Sequence, residues 1–377
     1  MALNATQQFY ENVKQSKNPL ILFKKDFNAD IIASSLALAL WLKKTNKPVE
    51  LACDDFSAPQ NLNFLPWSGS IKKEIDNPRQ FIINLDVTET PVEKFSYKKD
   101  DGKLQIFITP KAGEISKENL DCAQSAYKHD LIFTINTPDL ESLGKIYENH
   151  LNFFYNTPII NICNLPENEL YGQLNVVNLT ATSVAEILHD VFEKIDRSLI
   201  DEDIATCLLT GMIAATKSFR HEKVTPRSLG IASQLIASGA KRELIIKNLY
   251  QTKTVNTLKL WGLLLNNLET DASQKIAWSF VTAEDFKKSN ASTKDLIEVI
   301  EELIVTVPTV EFTAIFFQTN GQGVHCLIKT EKNIDLMKNF SEYRPNGTKN
   351  LIRLMIDSSD IKTAEDQILE YLKNLIR

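Results

Sequence analysis

Residues 21–38 read ILFKKDFNADIIASSLAL, a short apolar strand that passes through polar residues into an amphipathic helix. Small ligands and metal ions are commonly held at such strand ends, and the residues able to act here are Lys24, Asn28 and Asp30. Only Asp30 is an anion; Lys24 brings an ammonium and Asn28 an amide. Carboxylates follow two other strand-like runs, Asp86 in FIINLDV and then Asp139 and Glu141 in DLIFTINTPDLESLG. Cys163 ends a further run, PIINIC, but no histidine lies nearby and its neighbours are Asn164 and Leu165, so it reads as a half-buried thiol and not a nucleophile. His129, His150, His189, His221 and His325 show no HxxxH or HxH spacing and read as surface or core residues. The loop RPNGTKN could cradle a phosphate through backbone amides and Lys349, or be a plain loop. Phe153, Phe154 and Tyr155 read as packing residues that could also form a partner surface, and NGQG at 320–323 as a hairpin turn.

The elements that must position these residues alternate through the first half of the chain. NPLILF precedes the helix DIIASSLALALWLKKTN, and VELACD, RQFIINLDV, LQIFITP, HDLIFTIN and TPIINIC follow. Several are solid apolar runs with β-branched residues, as strands covered on both faces require, which predicts an α/β fold with a parallel-rich sheet flanked by helices. FIINLDV and KFSYKKDDGKLQIFITP predict an added hairpin over 80–113, with Asp101 and Gly102 at its bend. From 181 to 270 the pattern is helical, closing a first domain at 1–270 through a helical connection at 240–270. Residues 285–377 predict a second, smaller α+β domain of helix, strands and a terminal helix.

Composition limits the possible functions. The 377 residues are 43% hydrophobic and 24% charged, an ordinary globular balance, and a net charge of -6 argues against a broad phosphate-tracking face. Five cysteines with no CxxC pair predict reduced thiols, and no run approaches a membrane span, so a cytoplasmic protein without membrane contact is expected.

Five stretches stand in a fixed order: KKDFNADIIAS, DLIFTINTPDLESLG, PIINICNLPENELYGQLN, GMIAATKSF and PNGTKNLIR. Over nearly its whole length the chain thereby resembles the DHH phosphoesterase superfamily, in particular its nanoRNase and pAp-phosphatase type, which joins a DHH domain to a DHH-associated substrate domain. The first family motif, H-x-N-P-D-x-D-A-x-G-S, puts Lys24 at the histidine, Asn28 at one aspartate and Asp30 at the other. The second places Asn136 at a ligand aspartate, with Asp86 as a rival. In the name-giving motif Asn168, Tyr171, Gly172 and Asn175 match while Cys163, Asn164 and Leu165 replace D-H-H. In the fourth, Ala215 replaces an aspartate between the matching Gly211, Thr216 and Phe219. In the second domain the resemblance implies substrate contacts at Thr348, Lys349 and a position near Ile328 or Lys329.

Active relatives hold two manganese ions between their strand ends. A dinuclear site needs several anionic oxygen donors and imidazole, and here only Asp30 matches, so no cofactor is expected; Lys24 is expected to pair with Asp30 in its place. The resemblance then implies a catalytically degenerate homologue acting by binding in or around the interdomain cleft. Its ligand would be a protein partner (an active paralogue among the candidates) or a second copy, or else a nucleotide or short RNA. The alternative is an active phosphodiesterase or phosphatase on short oligoribonucleotides, pAp or cyclic dinucleotides, with a rearranged site drawing on Asp30, Asp86, Asp139 and Glu141.

Overall fold

A computed structural model describes residues 4–76, 79–100, 102–251, 254–306 (backbone only from 301), 309–318, 323–330, 332–358 and 360–376. The chain divides into two units, Met1–Gln251 and Thr252–Arg377. The first contains, in order, α1 (Ala5–Gln15), β1 (Pro19–Phe23), α2 (Ala29–Lys44), β2 (Glu50–Ala52), β3 (Ile71–Lys72), β4 (Phe81–Leu85), β5 (Val92–Asp100), β6 (Lys103–Pro110), β7 (Leu120–Gln124), β8 (Leu131–Ile135), α3 (Lys145–Glu148), α4 (Leu151–Asn156), β9 (Ile159–Cys163), β10 (Leu174–Val177), α5 (Val184–Asp196), α6 (Glu202–Ala215), α7 (Pro226–Ala237) and α8 (Arg242–Tyr250).

Its main sheet runs β10-β9-β8-β1-β2-β3, all parallel. β1, β8 and β9 bury every residue, which explains their uninterrupted apolar sequences. Ile21 and Phe23 face a core shared with α1, α2, α5 and α6, where Trp41 stacks on Phe192 with ring centroids 4.8 Å apart. Leu20 and Leu22 face the other way, onto Leu143, Ile146, Phe153 and Phe154. Phe153 and Phe154 are therefore core residues, and of that trio only Tyr155 is exposed. The strand order reverses between β1 and β8, so their carboxyl ends flank the point where a parallel sheet opens a crevice.

The hairpin expected at 80–113 is larger and differently paired. β5 and β6 do form a ribbon, with Gly102 at positive φ beside the bend, while Asp101 lies outside the described residues. β4 instead pairs antiparallel with β7, carrying the insert to residue 124. Its two ends meet: Ser125 donates its amide to the Gln80 carbonyl at 2.8 Å, and Gln80 donates back to Ser125 Oγ at 2.9 Å. Neither ribbon joins the main sheet.

The second unit holds α9 (Val255–Asn266), β11 (Glu269–Thr270), β12 (Ile276–Val281), α10 (Ala283–Ser289), α11 (Asp295–Thr306), β13 (Phe312–Phe317), β14 (Val324–Thr330), α12 (Leu336–Asn339), β15 (Asn346–Gly347), β16 (Leu351–Ile356) and α13 (Ile361–Ile376). Its sheet, β11-β12-β13-β14-β16-β15, is antiparallel except for β12 with β13. Phe312, Ala314 and Phe316 pack on α13, whereas Ile315 and Phe317 pack with Leu260 and Leu264 of α9 and Leu296 of α11.

This corrects the expected boundary. α9 belongs to the second unit because its two buried leucines pack with Val281, Leu296, Ile315 and Phe317, and that unit's sheet begins at Glu269, ahead of the expected start at 285. The expected turn at 320–323 lies outside the described residues except for Gly323. Among the described residues no helix is long and apolar enough to cross a membrane. Leu260→Ala is expected to cost about 2–5 kcal/mol, and to speed amide exchange in β12 and β13 while leaving β1 and β8 protected. Faster exchange in β1 would instead return α9 to the first unit.

Candidate functional site

The residues singled out in the sequence gather at the carboxyl ends of β1, β8 and β9. Asn28 caps α2, its side-chain oxygen accepting the Ile31 amide at 3.0 Å. That capping role suits an amide as well as a carboxylate. Asp30, in the first turn of α2, is 3% exposed and faces the start of α5. Its Oδ2 accepts the Val184 amide at 2.8 Å, and its Oδ1 accepts the Ala185 amide at 3.3 Å and Ser34 Oγ at 3.0 Å. Burial raises its pKa above the usual carboxylate range, while the three hydrogen bonds pull it back. A helix amino terminus is a natural seat for a carboxylate. The expected pairing with Lys24 is not formed: Asp30 is satisfied by α5 and Ser34, and half-buried Lys24 makes no ion pair with it among the described residues.

Asn136 follows β8 in a left-handed conformation, φ 48°, which asparagine tolerates better than most residues. Its Oδ1 accepts Cys163 Sγ at 3.4 Å and the Asn164 amide at 3.3 Å, so it ties the end of β8 to the end of β9. Asp86 follows β4 in the insert, whose strands do not join the main sheet, whereas Asn136 follows β8, which pairs with β1. Cys163 also accepts the Leu165 amide at 3.3 Å, and burial pushes its thiol up against the opposing charge of Lys24, the setting of an inert thiol. Asn164 donates to the Ala181 carbonyl at 3.2 Å, while Leu165 is half-buried hydrocarbon. Asp139 turns its Oδ1 to its own turn, accepting the Ser142 amide at 2.7 Å and Ser142 Oγ at 2.8 Å.

The matching frame residues lock the next loop. Asn168 accepts Asn161 Nδ2 at 3.0 Å, Tyr171 donates to Thr134 Oγ1 at 2.8 Å, and Asn175 donates to the Gly172 carbonyl at 2.7 Å. Ala215 ends α6, and after it Lys217, Ser218 and Phe219 all take positive φ, 48°, 61° and 64°. No glycine marks that left-handed turn in the sequence. Buried Glu186 was also missed: it accepts the Thr182 amide at 3.0 Å and Thr182 Oγ1 at 2.8 Å, closing the amino end of α5.

In the second unit, a cavity of about 680 Å³ lies on the sheet face beyond α11. Its polar lining includes His325, Tyr343, Arg344, Thr348 and Arg353. Phe317 stacks on His325 at 5.2 Å and Arg353 lies over the Phe317 ring at 5.2 Å. Burial, with help from Arg353, lowers the His325 pKa and favours the neutral ring. Of the expected substrate contacts, Thr348 lines this cavity while Lys349 and Lys329 do not; Ile328 is fully buried in the opposite core. Arg344 and Arg353 were missed, although Arg344 opens the RPNGTKN loop and Arg353 follows it closely in sequence.

Similarity to known proteins bears on this geometry. An exopolyphosphatase-related protein from Bacteroides fragilis has a solved structure that matches with a TM-score of 0.67 at 15% identity, covering 98% of this chain and 96% of that one. This is the DHH phosphoesterase fold. A curated relative, the bifunctional oligoribonuclease and PAP phosphatase NrnA of Thermus thermophilus, is 29% identical over 110 residues, which make up 29% of this chain and 33% of that relative. No family model matches.

The expectation of no cofactor is overturned by the same search. Exonuclease RecJ, solved bound to manganese, matches across 98% of this chain and 95% of its own at 10% identity and a TM-score of 0.39. Absence of a metal is thus not assigned to this chain. Its residues at the DHH positions nonetheless do not fit a cation pair: one carboxylate is clasped by amides, the others are replaced, and among the described residues no three His, Cys, Asp or Glu side chains stand together as ligands.

A Cβ on Gly211 of α6 would lie 2.6 Å from Asp30 Oδ1 and 2.9 Å from Ala185 Cβ, so only glycine lets α6 approach this clasp. Gly211→Ala is expected to lower unfolding free energy by about 1–3 kcal/mol in urea. Asp30→Leu strands two buried amides and is expected to cost about 2 kcal/mol or more, whereas Asp30→Asn keeps an acceptor and stays within about 1 kcal/mol of the parent. An Asn variant as unstable as the Leu variant would show that charge, and not the acceptor, secures α5.

Proposed function

We propose that this chain acts by binding a phosphate-bearing ligand with a flat ring, of the nucleotide or short-oligonucleotide class, without hydrolysing it. The observation that carries the reading is the state of Asp30, whose two oxygens are taken by three donors of its own chain while Asn136, Asn164, Leu165 and Ala215 supply no second carboxylate. Water activation for phosphate ester cleavage needs a base or a metal-held hydroxide, and these positions leave Asp30, already held by its own chain, as the one carboxylate for either role.

The second unit's cavity supports the ligand class. Its volume lies within the range of small-molecule sites, roughly 300–1,000 Å³, and its lining pairs two guanidiniums with apolar and aromatic walls. Arginine forks suit phosphate and their planes suit bases, and among the described residues no acidic side chain lines the cavity to oppose an anion. NrnA, by its name, acts on oligoribonucleotides and PAP, which is the same ligand chemistry.

Calorimetric titration of the full chain with adenosine 3′,5′-bisphosphate and with a ribodinucleotide is expected to give saturable binding. Arg353→Ala is expected to weaken it about tenfold or more, and added manganese is expected to release no mononucleotide. Manganese-dependent cleavage lost in Asp30→Asn would replace this reading with the enzymatic one.

A further inference from the structure

The insert between β3 and β8 has no part in the ligand reading, and it carries its own pattern. In the β5–β6 ribbon, Phe95, Tyr97, Leu104, Ile106 and Ile108 share one face, because Phe95 pairs with Ile108, Tyr97 with Ile106 and Lys99 with Leu104. Tyr97 is 70% exposed, Phe95 63% and Leu104 61%. A two-stranded ribbon is marginal alone; three or more strands are needed for independent stability. Among the described residues neither outer edge of this ribbon has a ladder partner.

The two edges differ. β5 carries Lys94, Lys98 and Lys99 and a register irregularity between Val92 and Lys94, the devices that keep an edge from pairing. β6 reads KLQIFITP: six uncharged residues, rich in aromatic and β-branched side chains, between Lys103 and Pro110. Such a segment on an open edge is a template for another strand.

We propose that the occupant of this edge is a second copy of the same chain, paired antiparallel along β6 about a two-fold axis at Ile106. That register sets Ile106 opposite its own copy and Leu104 opposite Ile108, all on the apolar face, with Gln105 opposite Phe107 on the other. Lys103 then meets Thr109 and not another lysine, and Pro110, which has no amide to donate, falls just outside the ladder. Moving the centre to Phe107 would draw Pro110 into it. The result is a four-stranded sheet whose outer strands are the lysine-guarded β5 of each copy, so growth stops at two chains.

The test is sedimentation equilibrium on the full chain together with oxidative cross-linking. The parent is expected to be a dimer. Ile106→Lys places two ammonium groups opposite each other and is expected to raise the dimer dissociation constant about tenfold or more, while Tyr97→Lys, on the outer strand, leaves it within about threefold. With exposed Cys122 replaced by serine, Ile106→Cys is expected to give a disulfide-linked dimer and Lys99→Cys is not. All four positions are exposed strand residues, so circular dichroism should match the parent. A monomeric parent, or a dimer that neither responds to Ile106→Lys nor cross-links at Ile106→Cys, overturns the proposal.

Discussion

The first unit depends on one buried carboxylate meeting the amino end of one helix. Asp30 binds two amides of α5 and the hydroxyl of Ser34, and Gly211 leaves room for α6 to close over it. Three helices are thereby fixed against the sheet at the crevice between β1 and β8. A charge removed from water needs such partners, and the raised pKa records that burial still outweighs them.

Around this clasp, the other positions of the DHH frame have turned inward. Asn136 joins two strand ends, Asn164 secures the backbone at Ala181, and Asn168, Tyr171 and Asn175 stitch their loop closed. Amide side chains suit this work because each both donates and accepts without a charge to solvate. Polar residues that could have faced a ligand are thus satisfied by the protein itself. The second unit keeps the opposite character, with Arg344, Arg353 and His325 lining a cavity on one sheet face.

What could be read from the sequence follows from how local each cause is. β1, β8 and β9 announce themselves because strands buried on both faces must be continuously apolar. Asn28 and Asp30 fall at a strand-to-helix turn fixed by nearest neighbours. The pairing of β4 with β7 was hidden because a strand's own sequence does not name its partner, and the closer strand, β5, was the natural choice. An amphipathic helix such as α9 likewise does not say which of two cores will take its leucines. The left-handed run at 217–219 lacks the glycine that ordinarily signals one, so tertiary packing and not local preference holds it there. Arg353 escaped notice because nothing in its local sequence marks it, and only the sheet's parity brings it over Phe317.

The joined ends at Gln80 and Ser125 have a consequence for how the chain folds and diversifies. Because the insert leaves and returns at one spot, the polymer between β3 and β8 behaves as a short tether once β4 meets β7, and closing it costs the parallel sheet little more entropy than a loop of a few residues. The appendage can lengthen, shorten or be transplanted between relatives while the scaffold beneath registers no change.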